Sequence, residues 1–178
     1  MSLDLELQQP SKAIIQIGVC VGNIESGNVL ERAKWHVKID EVLDPFIIKL
    51  TGITQQDVDS AEPLIEVYKK VVDLYQKHQC YTNVVTWGGG DSEILKKQLG
   101  KTNIPWIFGH RWLDVKTIFQ IFCMRDNNKK TQGGLARAMT KVGLAFQGRK
   151  HDAGDDAYNT WRLLVFFVKH LPKNILKK

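Results

Sequence analysis

Cysteine is scarce in this chain of 178 residues: Cys20, Cys80 and Cys123 are the only three, far apart and never in a Cys-x-x-Cys pair. Zinc sites and disulfide frameworks need closely spaced or paired thiols, so neither has support, and reduced, partly buried thiols are expected. Long apolar runs are missing too. No stretch approaches the ~20 residues of a membrane-spanning helix, and Met1-Ser2-Leu3-Asp4-Leu5-Glu6 lacks the basic-then-apolar order of a secretory leader. A cytoplasmic protein that does not engage a membrane is expected. Acid is the minority charge, with 19 Asp and Glu against 25 Lys and Arg, a net charge of +6. A basic balance proves little alone, but it suits a polyanionic partner if several of the acids are gathered in one place. Internal repeats and low-complexity linkers are absent, and the length suits one domain spanning 1–178 with a short basic tail over about 170–178.

What is present reads as an α/β chain. Leu3, Leu5 and Leu7 alternate with Asp4 and Glu6, which predicts a strand carrying both carboxylates on one outward face. Ala13 to Val21 is rich in β-branched residues and reads as a buried strand. Val29 to Ile39 alternates again, so three meandering strands with one wet face are expected. Leu50-Thr51-Gly52-Ile53-Thr54 reads as a short helix closed by glycine, followed by a threonine N-cap. Pro63 to His78 carries apolar residues at helical spacing. Thr82 to Trp87 reads as a strand, and Asp91-Ser92 as the cap of a helix reaching about Leu99. A strand is expected around Trp106–Phe108, helices over Leu113–Met124, Leu135–Val142 and Ala153–Lys169, and a polar loop from Arg125 to Gly134. This order implies a mixed central sheet flanked by helices.

Four acids and one histidine carry the chemistry: Asp4 and Glu6, Asp91 after Trp87-Gly88-Gly89-Gly90, and His151 with Asp156 in His151-Asp152-Ala153-Gly154-Asp155-Asp156. Their order, setting and spacing, with Leu50-Thr51-Gly52-Ile53-Thr54 between the first and second motifs, resemble the DEDDh 3′→5′ exonucleases. That group includes RNase T, oligoribonuclease and polymerase proofreading subunits, and the resemblance runs over about residues 1–170. Trp87-Gly88 is similar to the KapD-like branch. The resemblance implies an RNase H-like fold and hydrolysis of single-stranded RNA or DNA from a free 3′ end to nucleoside 5′-monophosphates. It also implies two Mg²⁺ or Mn²⁺ ions, since converging carboxylates repel one another unless cations neutralise them. An oxygen-only ligand set favours those hard ions over zinc.

Carried over by position, Asp4 would bridge both ions, Glu6 and Asp156 would complete the nucleophile-side site, and Asp91 would hold the second ion. His151 would take the proton of the attacking water. In the tyrosine variant of the group the base lies four residues before the final Asp; that position here is Asp152, which leaves the histidine as base. Asp155 rivals Asp156 as the ligand, with family spacing favouring Asp156. Leu50, Thr51 and Ile53 are either a ledge for terminal bases or simply core and cap. Leu5 and Trp87 are further candidates for substrate contact, with strand-end packing the other reading of Trp87. Arg149 and Lys150, beside His151, are candidates for phosphate. Relatives commonly follow the first-motif glutamate with Thr-Thr-Gly, whereas this chain has Leu7-Gln8-Gln9, making Gln8 the candidate for the end nucleotide. The alternatives are a DNA-directed repair or proofreading nuclease and a weakly catalytic binding module within a larger complex.

Overall fold

The computed structural model describes residues 1–100, 104–125 and 133–170. Most of the polar loop expected after Arg125 and the lysine tail beyond His170 lie outside the described residues. The elements are β1 (Ser2–Leu7), β2 (Ile14–Gly22), β3 (Val29–His36), α1 (Pro45–Thr51), α2 (Gln55–Asp59), α3 (Leu64–Lys77), β4 (Val85–Thr86), α4 (Asp91–Leu99), β5 (Leu113–Asp114), α5 (Val115–Arg125), α6 (Leu135–Lys141) and α7 (Ala153–His170). The strands form one mixed sheet in the order β3-β2-β1-β4-β5. β1, β2 and β3 pair antiparallel, whereas β4 runs parallel to β1 and β5 parallel to β4. Among the described residues no helix is long and apolar enough to cross a membrane.

Alternation in β1 sorts its side chains between two helical layers. Leu3 and Leu5 join Ile17 and Val19 under Val67, Tyr68 and Val71 of α3. That helix forms because its apolar residues recur along one face, and Leu64–Lys77 matches the span expected from the sequence. The opposite face of the sheet is not wet, contrary to expectation. Ser2 and Glu6 are buried there and Asp4 is half-buried, because α7 packs across β1 and β2. Gly18 makes the close approach possible: a Cβ on it would lie 2.0 Å from the carbonyl carbon of Ala153. Only β3, at the sheet edge, keeps the exposed face that alternation implied.

Three local expectations are corrected. Trp106–Phe108 is not a strand; the rings of Trp106, Phe108 and Trp112 pack with Tyr68 of α3. Leu113-Asp114, read as helix, pairs with β4 as a short parallel strand before α5 begins. Asp91 is the first residue of α4 rather than its cap, a place held by Gly90. The Leu50–Thr54 reading matches the structure. α1 ends on Gly52 at φ 72, and Thr54 opens α2 in a reciprocal capping box with Asp57.

Candidate active site

One strand and two helix starts meet at the acidic residues. β1 presents Asp4 and Glu6 to the α7 side, where their β2 partners in register are Gly18 and Gln16. β4 runs parallel to β1 with Val85 level with Ser2, so the Trp87–Gly90 turn leads Asp91 to the same end of the sheet. The turn is held by Asp114, whose Oδ1 accepts the Gly88 N–H at 2.8 Å and the Lys116 N–H at 2.8 Å. α7 then brings Asp156 down onto β1. Its first turn is capped by Asp152, whose Oδ1 accepts the N–H groups of Gly154 and Asp155, both at 3.1 Å.

The seat of that helix was not legible as a functional feature. Gln16 is buried in β2 and its Oε1 accepts the Ala153 N–H at 2.8 Å, while the Ser2 hydroxyl donates to the Ala157 carbonyl at 2.7 Å. Together with the close approach at Gly18, these bonds set how far Asp156 stands from Asp4 and Glu6. The available signal was a glutamine and a glycine inside an otherwise apolar strand, where each has a cost that packing must offset.

The geometry gathers three of the five residues tightly. One carboxylate oxygen of Glu6, one of Asp156 and a ring nitrogen of His151 all lie within 4.8 Å of one another. His151 is exposed, adopts φ 59, and donates its backbone N–H to Asp156 Oδ2 at 3.2 Å. Asp4 is coupled to them electrostatically: burial, then Asp91, Asp156 and Glu6 push its carboxyl well above the usual range. Burial, then Asp156, Asp152 and Asp91 push Glu6 up to about 8. Asp91 rises to about 7 through burial and Glu93. Asp156 also rises to about 7, mainly through burial, against the opposing hydrogen bond from His151. Among the described residues no N–H or O–H group donates to the carboxylates of Asp4, Glu6 or Asp91. Buried carboxylates ordinarily find donors or cations, so an oxygen-rich cluster without donors fits divalent ions.

The residues read as substrate contacts separate into groups. Lys150 lines a cleft of about 260 Å³ with Phe146, Arg137, His151 and Asp156. Arg149 is exposed and its guanidinium rests on Gly52 at the end of α1, where a Cβ would lie 1.8 Å from Nη1. Leu50 is half-buried beside it in sequence, whereas Ile53 is core and Thr51 is buried, its hydroxyl donating to the Ile47 carbonyl at 2.8 Å. In this structure Thr51 and Ile53 pack as cap and core. Leu5 points to the α3 side, away from the carboxylates, as strand alternation requires. Gln8, the candidate for the end nucleotide, is bonded within the protein. It is buried, donating to the Val42 carbonyl at 2.9 Å and accepting the Asp44 N–H at 3.0 Å, and so braces the segment before α1. Trp87 is half-buried against Phe119, with ring centroids 6.0 Å apart.

Comparison with known proteins places this arrangement. The chain is 26% identical to human ERI1 exoribonuclease 2 over 185 residues, covering 86% of this chain and 26% of that protein. It is 29% identical to the 3′-5′ exoribonuclease 1 of Rattus norvegicus over 161 residues, covering 85% of this chain and 46% of the relative. The chain thus spans a quarter to a half of the length of these relatives. Among solved structures, the nuclease domain of 3′hExo, a DEDDh family member bound to rAMP, superposes with a TM-score of 0.79 at 25% identity, covering 95% of this chain and 90% of that one. Residues 3–164 match the RNase_T exonuclease family model, a span that takes in all five acidic and histidine positions. The chain belongs to the RNase_T exonuclease family, within its DEDDh group.

Proposed function

We propose that this chain is a divalent-metal-dependent 3′→5′ exonuclease that shortens single-stranded RNA from a free 3′ end and releases nucleoside 5′-monophosphates. The observation that carries the proposal is the meeting of Glu6, Asp156 and His151 within 4.8 Å, beside the carboxylates of Asp4 and Asp91, which no described donor satisfies. Asp4, Glu6, Asp91 and Asp156 would hold the ions. When bound, a pair of Mg²⁺ or Mn²⁺ ions neutralises the repulsion and stabilises charge on the attacking and leaving oxygens. His151 takes a proton from the attacking water, whose oxygen bonds to the terminal phosphorus as the bond to the preceding 3′ oxygen breaks. That oxygen leaves with a proton from solvent, and the released nucleotide keeps the phosphate on its 5′ carbon. The exposed His151 ring is open to solvent, so the proton it takes can be passed on to water.

Substrate would lie along the cleft beside His151, with Lys150 near phosphate and Leu50 and the Arg149 guanidinium bordering the end nucleotide. RNA is favoured because the relatives are named exoribonucleases and the similar nuclease domain holds rAMP. The test is incubation of matched 5′-labelled RNA and DNA oligonucleotides with Mn²⁺ or Mg²⁺. A ladder shortening from the 3′ end of RNA, with 5′-monophosphates released and EDTA abolishing it, is expected. Internal cuts, 3′-phosphate products or activity undiminished by EDTA would overturn the assignment, and preference for DNA would move it to the repair or proofreading class.

A further inference from the structure

The loop carrying His151 is gripped by the helix that follows it. Three side chains from the start of α7 each accept an N–H of this loop at alternate residues. Asn159 Oδ1 takes Gln147 at 3.1 Å, Asp155 Oδ2 takes Arg149 at 2.8 Å, and Asp156 Oδ2 takes His151 at 3.2 Å. Asn159 is fully buried and returns bonds to the Gln147 carbonyl at 2.7 Å and to the Asp155 carbonyl at 2.8 Å. The loop also contains a left-handed backbone at His151, φ 59, which a non-glycine residue keeps only when its surroundings over-determine it.

Asp155 is the member of this set that turns away from the Glu6, Asp156 and His151 cluster. Its second oxygen, Oδ1, receives Arg32 Nη2 of β3 at 2.7 Å, and the Arg32 guanidinium lies 3.9 Å over the Tyr158 ring. Gly148 packs directly on the carboxylate, where a Cβ would stand 2.2 Å from Asp155 Cγ. Both oxygens are thus engaged, one by the edge strand and one by the loop. We infer that Asp155 is a positioning residue, a buckle between β3 and the 147–151 loop that holds His151 facing the carboxylates. The inference rests on the proposed hydrolytic reading, with Asp156 as the ligand of the adjacent pair.

The test uses the whole chain as Asp155→Ala, Asp155→Asn and Arg32→Gln. Four quantities are read: kcat and KM on a single-stranded RNA at saturating Mn²⁺, Mn²⁺ affinity by calorimetry, and amide exchange across 147–151 in metal-free protein. Asp155→Ala is expected to lower kcat by about 10- to 100-fold, the scale of a displaced catalytic group, with Mn²⁺ affinity unchanged and faster exchange at Arg149. Asp155→Asn should recover most of kcat, because its Oδ1 still accepts the loop N–H. Should the alanine variant not fold, Arg32→Gln, which removes only the outer half of the buckle, is expected to lower kcat at unchanged Mn²⁺ affinity. Weakened Mn²⁺ binding without rescue by asparagine would make Asp155 a ligand and overturn the inference, as would unchanged kcat. If the wild-type chain shortens no RNA, the hydrolytic reading fails by itself. The exchange arm still decides the buckle, which unchanged protection at Arg149 would overturn.

Discussion

Replacing Gly18 by alanine should disable the site without touching a residue that faces the metals or the substrate. The added Cβ would stand 2.0 Å from the Ala153 carbonyl carbon, 2.1 Å from its oxygen and 2.2 Å from the Gly154 nitrogen. These are backbone atoms and cannot rotate away. Carbon atoms in contact sit about 3.5–4.0 Å apart, so the start of α7 must retreat from β2 by roughly 1.5 Å. The Ala153 N–H bond to Gln16, 2.8 Å long, would be lost with it. Overpacking of this kind costs about 1–3 kcal/mol, and the broken bond about 1 kcal/mol more. The same movement carries Asp156 and His151 away from Asp4 and Glu6. A misplacement of about 1 Å can cost on the order of 10²-fold in rate. The assay is kcat on a 5′-labelled RNA oligonucleotide in Mn²⁺, paired with a thermal melt to confirm a folded, modestly destabilised protein. Gly89→Ala is the comparison, because a Cβ there meets nothing within 4 Å and its φ is not positive; it should behave as wild type. A folded Gly18→Ala variant with wild-type kcat would refute the idea that this contact sets the catalytic geometry.

Other substitutions separate the roles. His151→Ala should lower kcat by about 10²–10⁴-fold, the usual contribution of a general base, while calorimetry shows Mn²⁺ still binding; loss of binding at unchanged saturated rate would contradict that role. Asp4→Asn should abolish turnover and raise the melting temperature of the metal-free protein, since it removes a half-buried carboxylate repelled by Asp91, Asp156 and Glu6; retained activity would end its assignment as the shared ligand. Replacing Lys150 by alanine should weaken RNA binding similarly across sequences and reduce the slope of log affinity against log salt by about one, and an unchanged slope would remove it from the strand path. Stability should also depend on pH in a direction that metal reverses. Asp91 and Asp156 sit at about 7 and Glu6 at about 8, all raised above the values of the unfolded chain. The folded state therefore keeps protons that the unfolded state has released above about pH 4. Stability fully present below that pH is lost as pH rises toward 7–8, so metal-free melting temperature should fall from pH 5 to 8 and the fall should vanish in millimolar Mn²⁺. A flat metal-free profile would contradict it.

The parts readable from sequence were those whose signal is local. The apolar face of α3, the glycine stop and threonine start around Gly52 and Thr54, and the alternation in β1 each depend on neighbours a few residues apart. β4 falls inside the strand expected over Thr82 to Trp87, whereas β5 was read as helix because it is two residues long and exists only through a parallel partner distant in sequence. The expected wet face failed for a related reason. A period-two pattern shows that Asp4 and Glu6 share a face, but not that a helix some 150 residues later will cover it. Likewise Gln8 carries the same polar side chain whether it meets a nucleotide or, as here, braces Val42 and Asp44.

The adjacent acids Asp155 and Asp156 show where pattern gives way to three dimensions. Successive helical residues point about 100° apart, so only one of the two can face β1, and the spacing from His151 cannot by itself orient the helix. The structure orients it through contacts that no motif contains: Gln16 and Gly18 seat the first turn, Lys34 pairs with Asp152, and Arg32 draws Asp155 toward β3. With the helix so turned, Asp156 is left beside Glu6 and His151. Gly18 of β2 lets the backbone of Ala153 and Gly154 lie directly against the strand at this point. Local rules are broken at this spot, with Asp4, Glu6 and Asp91 accepting from no donor among the described residues and a histidine in a left-handed conformation. Such breaks persist only where the surrounding structure compensates them, and function is the usual reason. The edge strand, which looks like a plain solvated face in sequence, ties down the start of α7 by pairing Arg32 with Asp155 and Lys34 with Asp152.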